Sequence, residues 1–229
     1  VAELFPNVRL ARLDRDIARK KGALEEILAS FRSREIDVLV GTQMVAKGLD
    51  FPNVTLVGVV AADISLNIPD FRAGERTFQL LSQVAGRAGR GHLPGKVVIQ
   101  TFNANHIALQ TAQTHDYPAF FESLSQERRV AGYPPFVRLV NVVFTGPDLD
   151  AVITTSDEAA ARIRRALGDR GEVLGPANCP LERLHNRWRR HALLKLPLDM
   201  PPQTVAEPLA DLPTKGVQVT IDVDPYSLM

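Results

Sequence analysis

The sequence predicts an α/β protein in two parts: an alternating strand–helix half, then a smaller α+β half. Three observations carry this. Through about residue 103, short runs that are apolar on both faces alternate with helical stretches, the pattern of strands covered by helices in a parallel sheet. Beyond residue 132 the order becomes strand, helix, two extended segments around a turn, short helix, strand. A helical stretch over 104–132 separates the two rhythms, and 229 residues leave room for both.

In the first half, "NVRLARLD" (7–14) reads as a strand. "RKKGALEEILASFRS" (19–33) places Leu24, Ile27, Leu28 and Phe31 on one helical face. "IDVLV" (36–40) and "VTLVGVVAA" (54–62) are apolar strands. A helix from about Phe71 to Val84 follows, with Asp70 as its N-cap, and "GKVVIQT" (95–101) returns as a strand. The connector reads as two helices, "HIALQTAQTHD" and "YPAFFESLSQERRVAG", closed by Gly132 and the "YPP" at 133–135.

The second half begins with the strand "FVRLVNVVFTG" (136–146) and the helix "DLDAVITTSDEAAARIRRALG" (148–168). "GEVLGPANCPLERL" (171–184) and "RWRRHALLKLP" (187–197) are extended around a His-Asn turn. A short helix over 201–213 and an alternating strand over 217–225 complete a β-α-β-β-α-β order. That is the split-βαβ, ferredoxin-like arrangement, with Pro176 and Pro180 confining its second strand to an edge. The expected domains are therefore 1–103, the connector 104–132, and 133–229.

Composition narrows the function classes. No apolar run approaches 18 residues, so no membrane span is expected. No secretory signal is visible, and the single cysteine, Cys179, excludes an internal disulfide framework. The five histidines show no ligand spacing, so no metal site is expected and Cys179 reads as packed. A cytoplasmic address fits. "VAELFPN" reads as a last helical turn stopped by Pro6, and the chain opens on Val1, so a piece of a longer protein is expected. The net charge of +1 conceals an asymmetry. From Arg162 to Lys195 there are nine Lys/Arg against three Asp/Glu, whereas from Leu196 onward one Lys faces five Asp/Glu. Such a basic stretch points to an anionic partner.

Two stretches carry chemistry. "GTQMVAKGLDFP" (41–52) sits just past a buried strand, where α/β proteins place ligands. "QVAGRAGR" (83–90) ends an apolar helix with two arginines, each preceded by glycine. Guanidinium forks give planar, always-charged, bidentate donors to phosphate oxygens, and the glycines let the backbone approach. An arginine reaching a γ-phosphate from a second lobe is the arginine-finger arrangement of nucleotide hydrolysis.

In this order the two stretches resemble motifs V and VI of superfamily 2 helicases: G-T-x5-G-x-D-x-P, then Q-x-x-G-R-x-G-R. "DFRAGERTFQLLSQVAGRAGR", "RLDRD", "YPPF" and "RWRRHALLKLP" are more specific, and are similar to the PriA family of primosomal replication-restart helicases. The resemblance runs from about residue 3 to 225. It implies that the first half is part of a RecA-like second lobe of P-loop NTPase type. It further implies an ATP-dependent, 3′-5′ DNA helicase that recognises stalled or branched forks and initiates primosome assembly.

Carried over residue by residue, the resemblance makes Arg90 the finger, Arg87 a second γ-phosphate contact, and Gln83 a nucleotide sensor. Asp50 falls on the nucleotide side of the cleft, with Gly48, Gly86 and Gly89 shaping the approach. Thr42 and Gln43 fall on the DNA backbone, Lys47 on either. Arg72 and Arg76 are candidates without a role. The implied cofactor is ATP with Mg²⁺, in a site completed by a first lobe that the 229 residues do not contain. There is no G-x-x-x-x-G-K-[ST] and no D-E-x-H. The family's zinc-binding cysteines are expected upstream of Val1. Implied partners are branched and single-stranded DNA, primosome proteins, a single-stranded-DNA-binding protein and a replicative helicase loader, in a bacterial, nucleoid-associated setting.

Outside the resemblance, the basic tract supplies Arg183, Arg187, Arg189 and Arg190 as DNA-backbone contacts. Strand alternation places Arg187 and Arg189 on one face, Trp188 and Arg190 on the other. Plainer readings stay open: a solvated basic helix end for Arg87 and Arg90, a turn cap for Asp50, a basic edge strand for 187–190. So do a non-hydrolysing protein that recognises fork DNA and recruits partners, and a pure nucleic-acid-binding module.

Overall fold

The computed structural model describes residues 1–20, 22–42, 54–86 and 95–228, and within it the chain divides into two compact units. Val1–Leu66 and Gly74–Tyr117 form the first, Asn67–Ala73 and Pro118–Met229 the second.

The first unit holds two parallel strand pairs. Strand β1 (Leu10–Leu13) runs beside β2 (Val38–Gly41) in the register Leu10↔Val38 to Leu13↔Gly41. Strand β3 (Leu56–Val59) runs beside β4 (Lys96–Ile99). Parallel neighbours require a crossover. Between β1 and β2 it contains α1 (Arg15–Ala18) and α2 (Ala23–Arg32), the latter turning its buried Leu28 inward. An ion pair fastens the start of both strands. Arg9 Nε donates to Asp37 Oδ2 at 2.9 Å, and the Arg9 backbone amide donates to the same oxygen at 2.9 Å. Those bonds hold the Asp37 carboxyl at about 2, below the usual carboxylate range.

Between β3 and β4 lie α3 (Asp63–Leu66) and α4 (Ala73–Ala85). Thr77, Phe78, Leu81 and Val84 of α4 are buried, whereas Gln79, Gln83 and Gly86 form its exposed stripe at i, i+4 and i+7. The helix starts two residues later than the expected Phe71. Asp70 lies just before it: its Oδ1 accepts from the Arg72 backbone amide at 2.9 Å, an Asx turn leading into the helix. Helix α5 (Ile107–Thr114) follows β4, capped by His106 Nδ1 accepting from the Ala108 amide at 3.1 Å.

The second unit contains α6 (Tyr117–Ala131), closed by Gly132 at φ 63°, and an antiparallel sheet. The sheet strands are β5 (Arg138–Gly146), β6 (Glu172–Leu184), β7 (Arg187–Leu196) and β8 (Gln218–Val223). Their order β6-β7-β5-β8 is that of a ferredoxin-like split βαβ unit, as the element order predicts. Strand β6 lies at an edge, and its pairing with β7 shifts register at Leu174/Ala177 and Asn178/Arg183, around Pro176 and Pro180. Helix α7 (Leu149–Leu167) makes the first crossover, with Asp148 accepting from the Asp150 amide at 3.3 Å as N-cap. The second crossover has only one α-turn, α8 (Gln203–Ala206), and a 3-10 turn, because prolines 201, 202, 208 and 213 leave no longer run.

One face of the sheet builds the core. Val140, Val142 and Phe144 of β5, and Ala192, Leu194 and Leu196 of β7, close against Val152, Ala159, Ile163 and Leu167 of α7. Val205 of α8 and Leu212 complete the cluster. The other face carries a smaller apolar cluster, Leu139, Leu193 and Leu228 with Phe71, Tyr133 and Val137, and is polar beyond it.

Candidate functional site

Of the residues assigned to nucleotide and DNA in the first unit, Thr42, Gln83 and Gly86 are described. Gln43, Lys47, Gly48, Asp50, Arg87, Gly89 and Arg90 lie outside the described residues. Thr42 is exposed directly past β2, at the carboxyl end of a parallel strand, where ligands sit in such sheets. Gln83 is exposed on the last full turn of α4, and the Gly86 amide continues the helical ladder by donating to Ser82 O at 3.1 Å. A helix with a buried flank and a polar stripe therefore presents Gln83 and Gly86 to solvent and leads the chain into Arg87. Among the described residues no group of three His, Cys, Asp or Glu is placed to hold a metal ion. Nothing there fits Mg²⁺ or Zn²⁺ as a complete site.

In the second unit the basic tract falls on a β-hairpin. His185 and Asn186, at φ 50° and 61°, form its two-residue turn. The alternation of β7 divides the arginines sharply. Trp188 packs against the helix-side core, and Arg190 points the same way. The Arg190 side chain is 14% exposed; it donates to Ser156 Oγ at 2.8 Å, Asp157 Oδ1 at 3.0 Å and Pro176 O at 3.2 Å. These partners tie β7, α7 and the β6 bulge together, a structural engagement.

Arg187 and Arg189 belong to the opposite, open face. Arg187 donates to Thr145 O at 3.0 Å and Arg189 to Leu181 O at 3.4 Å, one backbone carbonyl each, and both remain part-exposed. Arg183, by contrast, pairs directly with Trp188 across the hairpin and so stands on the Trp188 face, exposed, with its guanidinium 5.0 Å from the indole centroid. The open face of Arg187 and Arg189 continues along β7 to His191, whose Nδ1 lies 3.2 Å from Asn141 Oδ1. Burial, with Arg189 adding to it, pushes the His191 imidazole below its usual pKa, so it is neutral at pH 7. Burial pushes the neighbouring Cys179 thiol up, with Arg189 opposing, so that side chain is an inert packed thiol.

Other basic groups in the 162–195 stretch are also engaged. Arg162 pairs with Glu158 at 2.9 Å, and Arg164 donates to the Gly175 carbonyl. Lys195 bonds Ala131 O at 2.9 Å and Glu172 at 3.2 Å. Of the nine basic residues in the stretch, Arg183, Arg187 and Arg189 gather around one hairpin, while Arg165 and Arg170 are exposed at the end of α7 and just past it. Periodicity separated Arg190 from its neighbours; only the fold reveals that Ser156 and Asp157 wait beneath it. From the sequence Asp70 reads as a helix cap and Arg72 as a residue without an assigned role; both are bonded to the end of the chain.

Comparison with known proteins addresses both units. Residues 3–92 match the family described as "Helicase conserved C-terminal domain", and residues 129–226 match "Primosomal protein N C-terminal domain". The chain is 38% identical over its whole length to replication restart protein PriA of Bacillus subtilis, covering 29% of that protein. It is 41% identical over 98% of its length to PriA of Synechocystis, covering 27% of it, and 40% identical over its whole length to PriA of Treponema pallidum, covering 35%. The chain therefore spans about a third or less of these relatives. No helix among the described residues is long and apolar enough to cross a membrane.

Proposed function

Because the chain belongs to the PriA family of replication restart proteins, we propose that it forms part of an ATP-driven 3′-5′ DNA helicase acting at branched forks to start primosome assembly. The observation that carries this reading is the ordered pair of arginine- and glycine-bearing motifs, 41–52 and 83–90, in a chain alike to these relatives from end to end. ATP with Mg²⁺ supplies the driving reaction, phosphoryl transfer to water. This chain's part is electrostatic and positional. Arg90 places a guanidinium where charge develops on the transferring group, Arg87 holds a second phosphate oxygen, and Gln83 orients the nucleotide. Asp50, with Gly48, Gly86 and Gly89, shapes the nucleotide approach, while Thr42, Gln43 and Lys47 hold DNA phosphates. Closure around nucleotide then changes the grip on DNA. The phosphate cradle and metal ligands belong to a first lobe, and zinc to a segment outside these 229 residues.

In the second unit we assign DNA-backbone binding to Arg183, Arg187 and Arg189, and structural duty to Arg190. The exposed end of the hairpin offers guanidinium donors to phosphate from both its faces. Primosome proteins, a single-stranded-DNA-binding protein and a replicative helicase loader are the proposed partners. The exposed hairpin arginines also suit a pure binding role, and one experiment separates the two readings: strand displacement from a forked duplex by the complete protein. ATP-dependent displacement, absent with a non-hydrolysable analogue, is expected. Fork binding without displacement in any nucleotide leaves the binding role and removes the helicase reading.

A further inference from the structure

Residues 67–72 precede α4 in the sequence yet belong with the second unit, as does Ala73 at the start of the helix. A reciprocal clasp with the end of the chain holds them there. Arg72 donates from one guanidinium nitrogen to Pro225 O at 2.6 Å and Tyr226 O at 3.1 Å. Asp70, 7% exposed, takes the next two residues: its Oδ2 accepts from Ser227 Oγ at 3.3 Å and from the Leu228 amide at 3.4 Å. Between them, Phe71 stacks on Tyr133 with centroids 5.2 Å apart and planes 5° from parallel. The Arg72 and Arg128 guanidinium groups lie 4.4 and 5.1 Å from its ring centroid. Leu228 and Phe71 both pack into the small apolar cluster with Leu139, Leu193 and Tyr133.

Each end of this clasp continues into an element already assigned a task. The tail at 225–228 follows β8 directly, and β8 pairs with β5, which pairs with the arginine-bearing β7. On the other side Ala73 opens α4, 13 residues and thus about 20 Å long. That helix carries Gln83 at its end and runs on in sequence to Arg87 and Arg90. A rigid helix converts a displacement of its first turn into one of its last. Two charge-assisted bonds from Arg72 fix the residue immediately before its first turn.

We propose that the 70–72/225–228 clasp couples nucleic-acid binding on the second unit to nucleotide turnover at the 83–90 motif, with Arg72 and Asp70 as positioning residues that set the start of α4. The proposal rests on the ATPase reading above. Neither residue touches nucleotide or DNA. Their effect is carried by the helix, so it appears in the response to DNA rather than in basal turnover.

The test uses the complete protein with three variants, Arg72→Ala, Arg72→Lys and removal of residues 226–229, plus the Arg72→Ala/tail double. Amide hydrogen exchange across 73–85 is followed with and without forked DNA, alongside ATP turnover under the same conditions. Arg72→Ala should quicken exchange in the first turns of α4 about tenfold, from loss of the charged donor. The ratio of DNA-stimulated to basal turnover should fall about fivefold or more, within the usual range of site-to-site coupling. DNA affinity should stay unchanged. Tail removal should reproduce both effects, the double variant should add little to either, and Arg72→Lys should recover part of each. Faster exchange with an unchanged stimulation ratio makes the clasp a structural staple and overturns the proposal, as does unchanged exchange. Absence of turnover in the wild type strikes the helicase reading alone. DNA-induced protection of α4, read without nucleotide, then decides the clasp: protection lost in Arg72→Ala supports it, and no protection in the wild type overturns it.

Discussion

Arg189 and Arg190 are adjacent in sequence and should fail in opposite ways when truncated. Arg190→Ala removes a 14%-exposed guanidinium that bonds Ser156, Asp157 and the Pro176 carbonyl. A bond to a charged group contributes about 1.5–3 kcal/mol, and bonds sharing one donor do not add, so a loss of about 2–4 kcal/mol is expected. For a unit of roughly 100 residues that lowers Tm by about 8–32 °C, since each kcal/mol is worth about 4–8 °C. Arg183→Ala/Arg189→Ala instead removes exposed or part-exposed groups on the hairpin, and should cost about 1 kcal/mol or less of stability. Its effect should appear in DNA binding. Each phosphate contact contributes about −0.9 to the slope of log affinity against log salt on duplex, or about −0.7 on single strands. Losing two contacts flattens the duplex slope by about 1.8. Between 50 and 200 mM salt each lost contact then removes about 3.5-fold of the salt sensitivity. The assay is fluorescence anisotropy on two forked DNAs of unrelated sequence, with calorimetry on the same samples. An unchanged slope in the Arg183/Arg189 variant, or a flattened slope with normal Tm in Arg190→Ala, refutes the split between DNA-binding and structural arginines. Unequal weakening on the two sequences refutes backbone-only binding.

Other expectations are local. His191 is held neutral by burial, with its pKa below the ordinary 6.5; the unfolded chain therefore takes up a proton at higher pH than the folded one. Stability is full above about pH 6.5 and declines as pH falls toward the lowered value. His191→Gln should flatten that decline in denaturant titrations at pH 5–7, and an unaltered pH profile contradicts the assignment. A Cβ at Gly146 would lie 2.8 Å from Val152 Cγ2 and 3.3 Å from Val217 Cγ2, so Gly146→Ala should cost about 1–3 kcal/mol by overpacking. A neutral melting point there means that the α7 contact yields more easily than described. The 229-residue chain by itself should bind DNA yet show no sustained ATP turnover, because its sequence has no phosphate cradle. Turnover that Arg90→Ala abolishes would place the whole site in this chain.

Much of the second unit was legible because its signals are local and agree with one another. Asp148 and Gly168 bound α7, the alternation of β7 separates Trp188 from Arg189, and Pro176 and Pro180 confine β6 to the edge. The strands of the first half are shorter than their apolar runs suggested. "NVRLARLD" narrows to Leu10–Leu13, where pairing with β2 defines the ladder. What the sequence hides is long-range pairing. Asp70 carries every local sign of a helix cap, and its second oxygen is taken by residues 227 and 228, more than 150 positions away. Arg190 belongs by composition to a basic run and by geometry to the support of α7. No periodicity distinguishes a solvated guanidinium from one with a serine and an aspartate waiting on a helix 34 residues upstream.

Arg90 is proposed as the arginine on which phosphoryl transfer depends. Steady-state ATP hydrolysis by the complete protein with Arg90→Ala, at saturating forked DNA and varied ATP, tests it most directly. The kcat is expected to fall about 10³-fold or more while nucleotide affinity changes little, because the contact strengthens as charge develops. Arg90→Lys should restore only part, since one ammonium does not replace a planar fork. DNA-stimulated turnover near the wild-type value in Arg90→Ala would contradict the assignment, and the same outcome in Arg87→Ala as well would contradict the half-site itself.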